Sequence, residues 1–218
     1  MLDLLVRVLV AYLLGSVNGA LLIGRFRGVD IRTQGSGNAG GTNALRTQGW
    51  LFAMGVIVID VGKAVIAVQW VPTALTAPVF SPEWLAAACG FAAVIGHVYP
   101  VFHGFRGGKG VATVLGTLLA LSLPLLIGML GVWFLMMFVF GFVGLGSMVA
   151  AIALPLLAQY AGSLGVISPE EVTPLTVFGV LCAVFVIWTH RSNIARMRAG
   201  TEPRARSLWL VGRLTGKS

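Results

Sequence analysis

The chain has 218 residues, of which 57% are hydrophobic and only 10% are charged. Soluble domains carry about a quarter charged residues, so this composition excludes an ordinary water-soluble globule, and its hydrophobicity excludes disorder. A mean hydropathy of +0.93 places residues 1–218 in a bilayer as one domain, and the net charge of +8 points to cytoplasmic loops or to a site for anions.

Residues 4–26 form the first apolar run, long enough to cross about 30 Å of hydrocarbon. Asp3 and Arg7 cancel at its flank, and it reads as a retained span rather than a cleaved signal. A polar, glycine-rich stretch follows, Gly35-Ser36-Gly37-Asn38-Ala39-Gly40-Gly41-Thr42-Asn43. Residues 50–71 make the second span, with Asp60 and Lys63 inside it. Pro72, Pro78 and Pro82 mark a loop, and residues 84–99 make the third span. Then comes Phe102-His103-Gly104-Phe105-Arg106-Gly107-Gly108-Lys109-Gly110. Residues 110–169 carry no charge, and Pro124, the glycines at 141–146 and Pro155 divide them. Residues 173–188 are the last span, followed by a basic tail. Cys89 and Cys182 lie in apolar runs and form no disulfide framework.

Positive residues in short loops set the orientation. Arg25, Arg27, Arg32 and Arg46 flank the first glycine-rich loop, Arg106 and Lys109 lie in the second, and Arg191, Arg196, Arg198, Arg204, Arg206, Arg213 and Lys217 fill the tail. The loops at 71–83 and 162–172 have no Lys or Arg but hold Glu83, Glu170 and Glu171. The basic segments are therefore expected on the cytoplasmic side, with the N-terminus outside and the C-terminus cytoplasmic. Parity then requires one or three spans in 111–161. As helix that stretch reaches about 76 Å, against about 90 Å for three full crossings, so three spans with at least one short or broken near 141–146 are expected. The expected fold is an all-α membrane protein, a polytopic bundle of seven transmembrane helices with five as the fallback.

Three constellations carry chemistry. In 35–46, glycines let backbone N–H groups converge on an anion, and Ser36, Asn38, Thr42 and Asn43 add neutral donors. A helix opening at Ala44 sets Thr42 and Arg46 on one face near its positive end, which suits phosphate. The G-x-G-x-x-G match at 35–40 is not a dinucleotide fold, because a membrane span precedes it where a strand is required. In 97–113, Gly107-Gly108-Lys109-Gly110 sets a Lys among glycines at the mouth of a helix, again a place for a phosphoryl group. A nucleotide P-loop fails at His103 and Gly110. His97 and His103 read as structural. In 189–202, a continuing helix would line His190, Asn193 and Arg196 along one face. Asp60 and Lys63, one turn apart inside a span, read equally as functional or as a self-neutralising pair pinning the helix to its neighbours.

The absences narrow the chemistry. Asp30, Asp60 and Glu202 form no clustered motif, so a two-metal phosphotransferase lacks its ligands. No His is followed five residues later by Asp, and no Gly-x-Ser-x-Gly nucleophile occurs.

Residues 35–46, Gly96-His97-Val98-Tyr99-Pro100 with 107–113, and His190-Arg191-Ser192-Asn193-Ile194 with Gly200-Thr201-Glu202 together resemble the bacterial acyl-phosphate:glycerol-3-phosphate acyltransferase family. The resemblance covers the whole chain in order and spacing. It implies transfer of a fatty acyl group from acyl phosphate to the 1-hydroxyl of sn-glycerol 3-phosphate. The products are 1-acylglycerol 3-phosphate and inorganic phosphate, in the first acylation of phospholipid synthesis. No CoA, acyl carrier protein, metal or other cofactor takes part. It implies a bacterial cytoplasmic (inner) membrane location with the active site on the cytoplasmic side, contact with membrane lipid, no nucleic acid and no obligatory protein partner. Two positions depart from the expected pattern: Asn18 stands in place of Pro in the first span, and Arg106 in place of Lys.

With this chemistry the residues divide into roles. His190, Asn193, Ser36, Lys109 and Arg46 are the expected catalytic set. Gly37, Asn38, Thr42, Asn43, Gly107, Gly108, Gly110 and Arg196 are expected to bind substrate. Glu202, Asp60, Lys63 and His97 are expected in structural or secondary roles, Glu202 as a brace of the tail. An activated donor with a good leaving group needs mostly alignment, so direct transfer without an acyl-enzyme is expected. The rivals are a transporter for a phosphorylated solute, disfavoured by ligand-poor opposite loops and the lack of a repeat, and a non-catalytic adaptor for anionic lipid, which leaves the asparagines unexplained.

Overall fold

The computed structural model describes residues 2–73, 80–214 and 216; Pro78 and Lys217 of the expected loop and tail lie outside the described residues. Every regular element among the described residues is helical. The chain groups into two compact units, Met1–Leu121 and Ser122–Ser218.

In the first unit the opening apolar run is two helices, α1 (Leu2–Gly15) and α2 (Gly19–Phe26), bent by 47°. The break needs no proline. Asn18 adopts an extended conformation, and its Oδ1 accepts the Leu21 N–H at 3.1 Å, which starts α2 afresh. Then come α3 (Gly41–Gln48), α4 (Trp50–Gln69), α5 (Pro82–Val98) and α6 (Val111–Leu121). Proline in the first turn of α5 costs no hydrogen bond, because that N–H would be unpaired anyway. Helix α1 packs against α5 at backbone distance: a Cβ on Gly96 would fall on the Tyr12 carbonyl oxygen, so only glycine permits the crossing. Ala20, Leu21, Ile31, Ala39, Ala44, Phe52, Ala53 and Val56 form a core directly beneath the first glycine-rich loop. Arg7, expected to cancel Asp3, pairs with it at 2.9 Å. It is fully buried and also donates to the carbonyls of Val71 and Pro72 just beyond α4.

The second unit holds α7 (Leu123–Phe140), α8 (Val143–Ser163), α9 (Pro169–Thr189), α10 (Arg191–Arg198) and α11 (Leu210–Leu214). Gly141 turns between α7 and α8 in the left-handed conformation, φ 73°. Pro124 sits in the first turn of α7, so the division expected there falls one or two residues earlier. Pro155 does not divide the run: it lies inside α8, and Gly179 of α9 makes room for it. Helix α9 begins at Pro169, ahead of the expected 173, because Ser168 and Glu171 form a reciprocal capping box.

Among the described residues, five segments are long and apolar enough to cross a membrane: α4, α5 with its 3₁₀ extension to His103, α7, α8 and α9. Taking the bent α1–α2 pair as one span gives up to six. Residues 111–161 do hold three helices, but α6 has only 11 residues, about 16 Å, which is short of a crossing.

Candidate active site

In the first unit the glycine-rich loop is shaped from within by Asn43. Its Oδ1 accepts the Ser36 N–H at 2.9 Å, and its Nδ2 donates to the carbonyls of Ile31 at 3.2 Å and Gln34 at 3.0 Å. Asn43 is buried and its hydrogen-bonding groups face the chain, so the side chain works as the loop's internal template. The Ser36 side chain, Thr42 and Arg46 are exposed, and Asn38 is half-buried. Gly40, the N-cap of α3, has no side chain with which to cap the first turn.

The second loop returns onto the end of α5. Gly107 N–H donates to the Val98 carbonyl at 3.0 Å and Gly108 N–H to the His97 carbonyl at 3.2 Å. Lys109 is half-buried just before α6. The two loops are back to back. A Cβ on Gly108 would collide with His97 Nε2 and lie 2.6 Å from the Ala39 carbonyl oxygen, which is why the loop needs glycine there. Asn18 at the bend donates to that same Ala39 oxygen at 3.2 Å.

An outer brace joins the loops as well. Arg32 donates from Nη1 to the carbonyls of His103 at 3.1 Å and Arg106 at 3.4 Å, while Asp30 orients its guanidinium through contacts of 2.8–3.2 Å. The Arg32 hydrogen bond holds the Asp30 carboxyl below its ordinary value. Sequence reasoning placed Arg32 only among the positive flanks. No motif marked its reach across about seventy residues to a backbone carbonyl. Arg106 itself is exposed.

Beneath the loops, Asp60 and Lys63 pair at 2.8 Å, with side chains 1% and 5% exposed. His97 joins them, its Nδ1 3.0 Å from Lys63 Nζ and 3.3 Å from Asp60 Oδ1.

In the second unit the expectation of a continuous last helix is corrected. His190 is the C-cap of α9 and the N-cap of α10, so a corner replaces the single face that was to carry His190, Asn193 and Arg196. The imidazole is buried, and its Nδ1–H donates to the Val186 carbonyl at 2.8 Å. A backbone carbonyl therefore takes the orienting role that a carboxylate plays elsewhere. Glu202 is buried and takes Asn193 Nδ2 on one oxygen and Arg196 Nε on the other, each at 2.6 Å. Gly144 at the start of α8 admits the Asn193 side chain, whose Nδ2 would lie 2.8 Å from a Cβ placed there.

The tail beyond Glu202 is also fastened. Ala205 N–H donates to the Gly141 carbonyl at 2.8 Å, and the buried Trp209 donates from its indole to the Val139 carbonyl at 3.0 Å. Arg204 stacks on Phe142 and Trp209, 4.4 and 3.8 Å from the ring centroids. Among the described residues no three His, Cys, Asp or Glu side chains gather into a metal-binding group.

Fold and site together define a helical membrane protein with glycine-bearing, donor-rich loops suited to phosphate groups. The profile of the glycerol-3-phosphate acyltransferase family matches residues 5–200, and the chain belongs to that family. It is 42% identical over 202 residues to the glycerol-3-phosphate acyltransferase of Thermosynechococcus vestitus, covering 90% of this chain and 92% of that one. It is 39% identical over 225 residues to that of Chlorobaculum tepidum, covering 94% and 97%. Among solved structures it is similar to PlsY (YgiH), described as an integral membrane glycerol 3-phosphate acyltransferase. The glycerol 3-phosphate form of PlsY matches with TM-score 0.79 and 32% identity over 92% of this chain and 94% of that one, and the lysophosphatidic acid form with TM-score 0.77.

Proposed function

We propose that this glycerol-3-phosphate acyltransferase of phospholipid synthesis takes its acyl group from an acyl phosphate and passes it directly to the 1-hydroxyl of glycerol 3-phosphate. The hydroxyl oxygen bonds to the acyl carbonyl carbon, the carbon–oxygen bond to phosphate breaks, and phosphate leaves with that electron pair. Ser36, Arg46 and Lys109 hold phosphate groups and stabilise charge on the leaving oxygen, with Gly37, Asn38, Thr42 and Gly110 shaping the grip; the Gly107 and Gly108 amides, expected to join them, are spent on the Val98 and His97 carbonyls and hold the second loop in place instead. His190 offers Nε2 to the glycerol hydroxyl, and Asn193, held by Glu202 beside Arg196, helps orient it. The hydroxyl proton passes to His190 or to a substrate phosphate.

The observation that carries this reading is the back-to-back seating of two glycine-bearing loops, Ala39 of one on Gly108 of the other, with Ser36, Arg46 and Lys109 supplied by those loops and the helix that follows the first. Two phosphate reactants with little else to grip call for such a surface. The chain is further proposed to lie in the bacterial inner membrane with these loops cytoplasmic and the N-terminus outside. This follows the excess of Arg and Lys in the loops and tail.

Phosphate release from palmitoyl phosphate, with and without glycerol 3-phosphate in metal-free buffer, tests the chemistry. Release should require the acceptor; release that ignores it would overturn direct transfer. Lys109→Ala should lower turnover by about 10²–10³-fold, as loss of one well-placed charge-stabilising donor does.

A further inference from the structure

We infer that Lys63 is a positioning residue that sets the two phosphate-gripping loops against each other through His97, an inference that rests on the reading above. An ammonium has three N–H donors, and here each has a partner: Asp60 Oδ1 at 2.8 Å, the Val17 carbonyl at 2.9 Å and His97 Nδ1 at 3.0 Å. Each partner leads somewhere useful. Val17 lies in the break between α1 and α2, where its carbonyl has left the helical ladder. Asp60 Oδ1 also accepts the Gly19 N–H at 3.0 Å, one of the donors orphaned at the start of α2. His97, accepting at Nδ1, carries its ring proton at Nε2, the edge that lies beneath Gly108 and beside the Ala39 carbonyl.

The contacts close a circuit. Lys63 holds the bend and the imidazole; the imidazole supports Gly108; Gly108 abuts Ala39; and Ala39 is tied back to the bend by Asn18. One buried cation thus fixes both loops relative to one another. The arrangement is poor as a pure stabiliser. Asp60 Oδ2 is buried without a hydrogen-bond partner among the described residues, and apolar side chains of similar volume usually hold helices together as well or better. Geometry at the loops is what the charges add.

The test separates position from stability. Lys63→Met alone strands a buried carboxylate, whereas Asp60→Asn with Lys63→Met removes both charges and keeps the shape. The double variant should retain the thermal unfolding temperature and a kcat within about threefold, while KM for at least one phosphate substrate rises about tenfold. A folded double variant with both KM values unchanged would overturn the inference. His97→Leu, which leaves the ion pair intact, should raise the same KM, and His97→Asn, whose Oδ1 replaces Nδ1 as acceptor, should restore most of it. Native KM values in both would overturn the inference even if the double variant fails to fold. Calorimetric binding of glycerol 3-phosphate, read without turnover, keeps the two readings apart: weaker binding in the variants supports the positioning role even if the unaltered protein rejects palmitoyl phosphate.

Discussion

The two units hold their polar segments by the same device set in different surroundings. In each, one carboxylate receives two nitrogen groups. Asp60 accepts from Lys63 and the Gly19 N–H inside the helices of the first unit, and Glu202 accepts from Asn193 and Arg196 where the tail returns in the second. The first cluster is almost wholly buried, whereas the Arg196 side chain is 31% exposed. A buried pair punishes the loss of either member, while a partly wet one lets water substitute. The first unit should therefore fail by unfolding, and the second by loosening.

The sharpest way to break this contrast is Asp60→Ala, which leaves Lys63 buried without its counter-charge. It should destabilise the protein by about 3–5 kcal/mol, read as thermal unfolding in detergent. Glu202→Gln should cost less, about 1–3 kcal/mol, and should lower activity beyond its effect on stability because its single amide oxygen can accept from only one of Asn193 and Arg196, and the other then faces an N–H₂ donor. Trp209→Ala removes a stacking partner of Arg204 and the indole donor. Each contact of that kind contributes about 0.5–1.5 kcal/mol, so the expected sign is a modest drop in unfolding temperature with rising protease sensitivity of the tail. The smallest effect belongs to the outer brace: Arg32→Ala should change stability by about 0.2–1 kcal/mol. Because Arg32 lowers the Asp30 pKa, the contribution of this brace is fully present above the carboxyl's ordinary value and is lost only as pH falls through the lowered one. An acid titration of the unfolding temperature, compared between the two proteins, reads that difference.

Much of this was legible in residue types and spacing. Glycines at 35–37 and at 104–110 announce two tight loops, and ionisable residues one turn apart in an apolar run announce the Asp60–Lys63 pair. The third partner of that pair was not legible. His97 sits in the second motif, and only packing of α5 on α4 brings its ring to Lys63. Asn43 was expected to reach outward to substrate, yet its amide is used up by the loop's own backbone, a choice set by burial rather than by composition. The corner at His190 escaped a reading based on helical periodicity, because residues 189–198 continue a helical pattern straight through it. Pro155 misled in the opposite direction, since a helix facing Gly179 tolerates a proline that a lone helix would resent.

The bend at Asn18 has a consequence for how this chain resists its solvent. A snapped turn inside an apolar stretch normally exposes bare amides and carbonyls that invite moisture or demand a neighbouring strand of protein. Here Val17, Gly19 and Leu21 each find a side-chain partner in Lys63, Asp60 and Asn18. The kink is sealed from within, so the first span can change direction toward the loops without opening a wet path through the fatty layer.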